Sequence, residues 1–189
     1  MTDDLWVFGY GSLLWNPGFT HEETVLATLD GYARSFCMRS IHHRGTVEDP
    51  GLVLALDAEA GASCAGLAFR VAAHHREATL AYLRERELIS SAYLETWLPL
   101  TLADGRQVET VVYVIDPDHV QYCHLSLEEQ ARIIAVAKGG RGPNSDYLFN
   151  TADHLTEIGI EDPDLTWLAR EVRRLTAGQD LGPGHSLPL

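Results

Sequence analysis

Short runs of apolar residues occupy the first two thirds of the chain, and in many of them apolar and polar positions alternate. Alternation that includes β-branched and aromatic residues is typical of strands with one buried face. The pattern predicts strands over residues 5–9, 24–29, 33–40, 52–57, 64–71, 93–100 and 108–115. The turn signals between them favour antiparallel pairing that closes into a barrel or a strongly curved sheet: Asp30-Gly31, Asp49-Pro50-Gly51, Glu59-Ala60-Gly61 and Ala103-Asp104-Gly105.

The periodicity becomes helical once among the strands, over residues 74–87, and again after the last strand. Ser126 and Glu129 have the spacing of a capping box, which predicts a helix over residues 127–138 that Gly139 and Gly140 end. Two further helices are predicted from their capping residues: Asn144 or Ser145 for residues 144–158, and Asp162-Pro163 for residues 163–176.

These elements predict an α+β fold, in which a small barrel is flanked by helices. With 189 residues, of which 46% are hydrophobic, the chain can bury one sizeable core. We therefore expect a single domain over residues 1–176. Residues 177–189 contain several Gly and Pro and little to pack, so we expect a loosely held tail.

The charge of the chain is strongly negative, because 14 Lys and Arg stand against 27 Asp and Glu for a net charge of −13. Such a charge repels phosphate backbones and anionic membrane surfaces, so we expect neither nucleic acid nor a membrane as partner. No apolar run reaches the roughly 18 residues that span a bilayer, and the first four residues lack the basic start of a secretory signal. These features predict a cytoplasmic protein, and they leave its oligomeric state open.

The cysteines and histidines do not form a metal-binding or redox motif. Cys37, Cys64 and Cys123 are widely spaced, and the surroundings of the first two favour small buried side chains over nucleophiles. The adjacent pairs His42-His43 and His74-His75 point apart on a strand or helix, so they are poor joint ligands. We therefore expect no metal.

The first unusual feature is Gly9-Tyr10-Gly11-Ser12, which follows the first strand directly. Two glycines there permit either a tight turn or a cradle whose backbone N–H groups bind a carboxylate or an oxyanion. Ser12 resembles the serine of a nucleophile elbow only in part, because Leu14 stands where that motif has its second glycine. The residues alone leave turn and cradle equally open.

The second feature is the run of alternating charges at 84–87, which ends a predicted helix. Glu87 lies seven residues after Leu80 and four after Leu83, on the same stripe, whereas Glu85 points elsewhere. A carboxylate turned towards apolar residues loses hydration, and the rise in its pKa makes it a credible general base. The alternative is a solvated charge run, which periodicity alone favours.

Two further stretches carry positive charge or glycine. Arg39, His42, His43 and Arg44 lie together at the end of a strand, which suggests local binding of an anion in an acidic chain or a cross-strand ion pair. The glycine-rich loop at 139–143 leads into a helix whose first turn carries Tyr147. This loop is compatible with a ligand site or with a plain connection between two helices.

Taken together, four elements resemble the ChaC family of γ-glutamylcyclotransferases, in matching order and spacing over residues 5–176. They are Tyr10-Gly11-Ser12-Leu13, His43-Arg44-Gly45-Thr46, Arg86-Glu87, and the run from Gly142 to Leu148. The resemblance implies a small mixed or antiparallel β-barrel with flanking helices, and cleavage of glutathione to 5-oxoproline and cysteinylglycine. It also implies that no metal, nucleotide or covalent enzyme intermediate takes part.

The same resemblance implies roles for individual residues. Glu87 matches the catalytic acid and base of the family. The substrate-binding positions that it implies are Tyr10, Gly11, Ser12, Leu13, Arg44 and Tyr147.

The segment after Glu87, residues 88–93, differs from the glycine-containing segment of some family members, which bears on substrate preference. Three other hypotheses about the function remain beside glutathione cleavage. The protein could act on other γ-glutamyl amino acids or γ-glutamylamines, bind γ-glutamyl groups without catalysis, or be a serine hydrolase. Arg39, Arg44 and Arg141 are all possible partners of the glycine carboxylate of glutathione.

Overall fold

A closed five-stranded barrel with helices packed against its outside forms the protein. The computed structural model describes residues 3–89 and 91–180. The five strands are Leu5–Gly9 for β1, Glu23–Ser40 for β2, Gly51–Val71 for β3, Tyr93–Leu102 for β4 and Gln107–Ile115 for β5. They follow the order β1-β3-β2-β4-β5 around the barrel, and the parallel pair β1–β5 closes it while the other neighbours are antiparallel. The predicted α+β barrel is confirmed.

The first strand is apolar throughout because both of its faces are buried. Trp6 and Phe8 join side chains from the other strands in the barrel interior. Leu5 and Val7 lie on the opposite face and belong to a second core, which the barrel shares with the helices. A strand that separates two cores is held firmly in place, so the residues that follow Gly9 leave the barrel at a fixed point.

Two of the predicted turns are wrong, because β2 and β3 each run through a position that was expected to end a strand. Gly31 and Gly61 have φ values of +85° and +83°, which a turn requires but a bulge also accommodates. Pairing shifts between Asp30 and Tyr32, where four residues of β3, 59–62, are passed over. The glycines therefore bend one long antiparallel ribbon around the barrel instead of connecting four short strands.

The helices agree with the predicted positions except at their ends. A 3₁₀ turn, Ala73–His75, precedes α2, which covers Arg76–Glu87. A short helix that was not predicted, α1, covers Ser12–Trp15. The remaining helices are α3, Leu127–Val136, α4, Asn144–Glu157, and α5, Pro163–Asp180.

The end of α3 and the start of α4 differ from the prediction for one reason. The segment 137–143 leaves the helix to form a small hairpin, in which β6, Lys138–Gly139, pairs with β7, Gly142–Pro143. Helix α3 therefore stops at Val136, before the glycines. Neither Asn144 nor Ser145 caps α4, because the N-cap position is Pro143 and the amide of Asn144 binds the backbone of Leu52 instead.

Residues 177–180, which were expected to belong to a loosely held tail, are helical. Helix α5 continues through Asp180, four residues beyond the predicted end at Thr176. The rest of the predicted tail, 181–189, lies outside the described residues. Within the described part of the chain, every helix is too short or too polar to cross a bilayer.

Candidate functional site

A small cavity opens at the end of the barrel where β1 and β5 finish and β4 starts. The parallel register pairs Val7 with Val111, so the loop after Gly9 lies beside Tyr113, and Tyr113 in turn pairs with Glu95 near the start of β4. The cavity volume is about 30 Å³. It is lined by Phe8, Tyr10, Gly11, Ser12, Leu13, Leu54, Glu87, Tyr93, Tyr113 and Tyr147.

Glu87 is the one carboxylate among the described residues that line this cavity. Helix α2 places it there by burying Leu80 and Leu83 on the same stripe, while Glu85 is exposed. The sequence-based prediction of its orientation is therefore confirmed, and the alternative of a solvated charge run is wrong for this residue. Burial raises the pKa of the Glu87 carboxyl, and the positive charges of Arg86 and Arg141 offset part of that rise.

Arg86 ties the end of α2 to the loop after β1. Its Nε lies 3.4 Å from Oε1 of Glu87, and its Nη2 donates to Oγ of Ser12 at 3.0 Å. Its Nη1 donates to the carbonyl oxygen of Asn16 at 2.6 Å and to the hydroxyl of Tyr82 at 3.1 Å. One guanidinium thus fixes the carboxylate relative to the loop.

Four phenols surround Glu87, and burial raises the pKa of each, so all remain protonated at neutral pH. Three of them already donate their proton. Tyr10 donates to the carbonyl oxygen of Tyr113 at 2.9 Å, Tyr93 to that of Leu54 at 2.9 Å, and Tyr113 to Glu95 at 3.0 Å.

Tyr147 differs, because its hydroxyl accepts from the backbone N–H of Leu54 at 3.3 Å and donates to none of the described residues. Burial raises its pKa to about 12. A Cβ added at Gly11 would lie 3.4 Å from this hydroxyl, which places it against the loop. Tyr147 therefore keeps a proton available for a ligand in the cavity.

Helix α4 holds Tyr147 in place through contacts with the barrel and with α1. Asn144 receives the N–H of Leu52 on Oδ1 and donates from Nδ2 to the carbonyl oxygen of Leu52, both at 2.8 Å. Nε1 of Trp15 donates to Oγ1 of Thr151 at 3.2 Å, which joins α1 to α4. The glycine-rich segment before α4 is thus more than a connection, since the helix that it opens carries a cavity residue.

The loop after β1 takes neither of its two expected forms alone, since the turn runs directly into the short helix α1. The amides of Ser12 and Leu13, the first two residues of α1, meet no acceptor among the described residues, as is usual at a helix start. Both residues line the cavity. The Ser12 hydroxyl contacts a guanidinium, which cannot act as a base, so nothing here activates it as a nucleophile.

A buried arginine that was not predicted from the sequence holds this loop in place. Arg34 donates from Nε to the carbonyl oxygen of Tyr10 at 2.7 Å and from Nη2 to that of Ala65. Its Nη1 lies 3.0 Å from Oδ2 of Asp162, and the Arg34 side chain is 4% exposed. Asp162 also accepts the N–H of Leu165 on Oδ1, so the predicted cap of α5 is confirmed.

A wider groove of about 150 Å³ adjoins the cavity and shares Ser12, Glu87, Tyr93 and Tyr147 with it. The groove has basic side chains that the inner cavity lacks: His42, His43, Arg44, Arg86 and Arg141. Burial lowers the pKa of His43, so the positive charge of the groove comes from the three arginines. Arg39 is absent from this set and lines a separate cleft beside Lys138. Of the strand-end cluster, therefore, the structure brings His42, His43 and Arg44 to the site.

The position of Arg44 follows from close backbone packing. A Cβ at Gly45 would lie 2.0 Å from the amide nitrogen of Gly51, and one at Gly139 would lie 2.5 Å from the amide nitrogen of Gly45. Three backbone segments therefore cross where only glycine fits. Nη1 of Arg44 donates to the carbonyl oxygens of Arg141 and Pro143, each at 3.1 Å, and its guanidinium stacks over the Tyr147 ring.

The site residues predicted from the sequence all line the cavity or the groove: Glu87, residues 10–13, Arg44 and Tyr147. Tyr93, Tyr113 and the contacts of Arg86 were not predicted. The predicted buried cysteines are confirmed, since Cys37 and Cys64 are buried and burial raises their thiol pKa to about 12 and about 11. No three His, Cys, Asp or Glu side chains within 3–89 and 91–180 are grouped as a metal site would require.

Known proteins are similar to this chain over most of its length. The family model described as ChaC-like protein matches residues 5–175. The glutathione-specific gamma-glutamylcyclotransferase of Escherichia coli K12 is 40% identical over 174 residues, which is 92% of this chain and 74% of that protein. Gamma-glutamylcyclotransferase 2-3 of Arabidopsis thaliana is 35% identical over 178 residues, which is 90% of this chain and 89% of that protein.

A solved structure supports the fold. The crystal structure of the yeast gamma-glutamylcyclotransferase specific to glutathione superposes with a TM-score of 0.82 at 24% identity. The match covers 91% of this chain and 96% of the yeast chain. The barrel and its helices therefore have the same architecture in both proteins.

Proposed function

The chain belongs to the ChaC-like protein family, and from this premise we propose that it is an enzyme that cleaves glutathione to 5-oxoproline and cysteinylglycine. The observation that carries the proposal is the position of Glu87. This buried carboxylate stands between a small inner cavity and a larger, positively charged groove. That division fits a substrate with a small reacting end and a larger anionic leaving group.

The γ-glutamyl group occupies the inner cavity, with its α-amine and its γ-carbonyl both near Glu87. The cysteinylglycine part extends into the groove. Because the attacking nitrogen and the attacked carbon belong to one molecule, catalysis requires chiefly that the substrate be folded correctly and that protons be moved. The narrow cavity and its rigid phenols favour a folded substrate.

Glu87 begins the reaction by accepting a proton from the α-ammonium group. The freed amine attacks the γ-carbonyl carbon, a five-membered ring forms, and the bond to the cysteine nitrogen breaks. Glu87 returns this proton to that nitrogen. The ring nitrogen loses a second proton as the lactam forms, and this proton also passes to the released amine by way of Glu87. Of the three ammonium protons, one stays on the lactam nitrogen and two end on the released amine, so no water is consumed. Burial raises the pKa of Glu87 towards the range in which a carboxyl group both accepts and returns a proton.

The negative charge that forms on the γ-carbonyl oxygen needs hydrogen-bond donors. The free amides of Ser12 and Leu13 are suitable, and the uncommitted hydroxyl proton of Tyr147 is a third donor. Gly11 leaves the space in which the substrate approaches these groups. Tyr10 and Arg44 act in the substrate site by shaping its walls, because their polar groups are bonded to the protein.

The proposal is tested by incubating purified protein with glutathione and with a panel of γ-glutamyl amino acids and γ-glutamylamines. Equal amounts of 5-oxoproline and cysteinylglycine from glutathione are the expected result. 5-Oxoproline with a free amino acid or amine from the other compounds alone would identify a different cyclotransferase. Binding without any release of 5-oxoproline would identify a non-catalytic γ-glutamyl-binding protein. The cytoplasmic location expected from the sequence stays a prediction.

A further inference from the structure

The groove concentrates positive charge in a chain whose net charge is −13. Glutathione, the substrate under the proposed function, carries a carboxylate at its glycine end. That carboxylate is two residues beyond the bond that is cleaved, about 7 Å along an extended chain. A cation at the far side of the groove would therefore distinguish glutathione from γ-glutamyl compounds that lack it.

Most of the cations near the site are already engaged. Arg39 lies in another cleft, Arg44 donates to two carbonyl oxygens, and Arg86 is held by Glu87 and the loop after β1. Arg141 is different, since its side chain forms neither a hydrogen bond nor an ion pair with any of the described residues. It is exposed and lines the groove together with Glu87.

The backbone of Arg141 is nevertheless fixed. The residue lies at the tip of the hairpin formed by β6 and β7, where its N–H donates to the carbonyl oxygen of His43 at 2.9 Å. Its own carbonyl oxygen accepts from Nη1 of Arg44 at 3.1 Å. A guanidinium with an anchored backbone and an unpaired fork of donors is suited to bind a carboxylate through two parallel hydrogen bonds.

We propose that Arg141 binds the glycine carboxylate of the substrate and thereby makes the enzyme selective for the free tripeptide acid. The inference rests on the proposed function and extends it to a residue for which the family resemblance implies no role. The anchored hairpin sets the distance between the bound carboxylate and Glu87. Arg141 thus determines specificity, and its effect on proton transfer is limited to the part of the rise in the Glu87 pKa that its charge offsets.

The test compares glutathione with its glycine ethyl ester, which has the same γ-glutamyl bond but no terminal charge. Arg141→Gln should raise KM for glutathione and lower kcat/KM about five- to tenfold, as expected for loss of a partly exposed charge-assisted contact. The kcat/KM for the ester should change by less than about twofold. Arg141→Lys should retain a large part of the preference for the free acid, because the charge remains.

Arg39→Gln is the matched control, since it removes the same charge from a neighbouring cleft and should alter the kinetics of neither compound. Equal losses on glutathione and the ester in Arg141→Gln, or no loss on either, would overturn the inference while the proposed function stands. If wild-type protein releases 5-oxoproline from neither compound, the proposed function itself fails. The two failures are therefore distinguishable.

Discussion

The substitution Glu87→Gln removes both the basic carboxylate and its buried negative charge, so it should change catalysis and stability separately. Glutamine has almost the same shape as glutamate but cannot accept the ammonium proton. Because the side chain is only 15% exposed, water replaces the lost base poorly. General-base catalysis contributes about 10²- to 10⁴-fold, so kcat for glutathione should fall by at least about 10²-fold.

Stability should change in the opposite direction at neutral pH. Desolvation is the largest cause of the raised pKa of Glu87, which means that the folded state disfavours its charged form. A carboxyl group whose pKa is higher in the folded than in the unfolded state destabilises the fold once the pH rises above the unfolded pKa. The cost reaches about 1.4 kcal/mol for each pKa unit of the difference. Glu87→Gln should therefore be more stable than wild type at pH 7.5, and the difference should become small near pH 4, where most of the glutamate is protonated.

Both effects can be measured on one preparation, by 5-oxoproline release and by urea denaturation at pH 7.5 and pH 4. Glu85→Gln is the matched control, because Glu85 carries the same charge on the same helix but is exposed. It should change neither quantity. Wild-type turnover in Glu87→Gln would refute the assignment of the base. A variant less stable than wild type at pH 7.5 would refute the argument from desolvation.

Three further predictions follow from the geometry of the site. The kcat/KM for glutathione should fall as pH decreases through a value above 4.5, the ordinary glutamate pKa, because Glu87 must be ionised to accept a proton; a rate profile with its acid limb at or below 4.5 contradicts this. Asn144→Ala should lower the free energy of unfolding by about 2–4 kcal/mol, because it leaves the buried N–H and carbonyl of Leu52 unpaired; a loss under about 1 kcal/mol in urea would be inconsistent. Gly11→Ala should lower kcat/KM about 10²-fold, because the added Cβ occupies the 30 Å³ cavity near Tyr147 and displaces the reacting group; unaltered kinetics would mean that the loop is only a turn.

Features set by neighbours in sequence could be predicted from the chain. Ser126 and Glu129 form the predicted capping box, because both partners lie within one helical turn. The side that Glu87 presents follows in the same way from its spacing to Leu80 and Leu83. In each case the deciding interaction is local.

Features set by distant partners could not be predicted. The positive φ of Gly31 and Gly61 suits a turn as well as a bulge, and only the pairing of β2 with β3 determines which one forms. Tyr113 joins the site because the register of β1 and β5 carries it there, and its sequence neighbours give no sign of that. Arg86 was interpreted as one member of a charge run, although its partner Ser12 is 74 positions away.

The buried Arg34 links the loop after β1 to the start of α5, where its partner Asp162 lies 128 positions later in the sequence. Until Asp162 has been synthesised and packed against the barrel, this guanidinium lacks its carboxylate partner. The carbonyl oxygen of Tyr10 is then hydrogen-bonded to a buried charge that has no counter-ion. A nascent chain still attached to the ribosome at that stage therefore lacks a finished active site. Activity should arise only after position 162 has been added, and N-terminal fragments that stop before it should be unfit for use as minimal enzymes or split reporters.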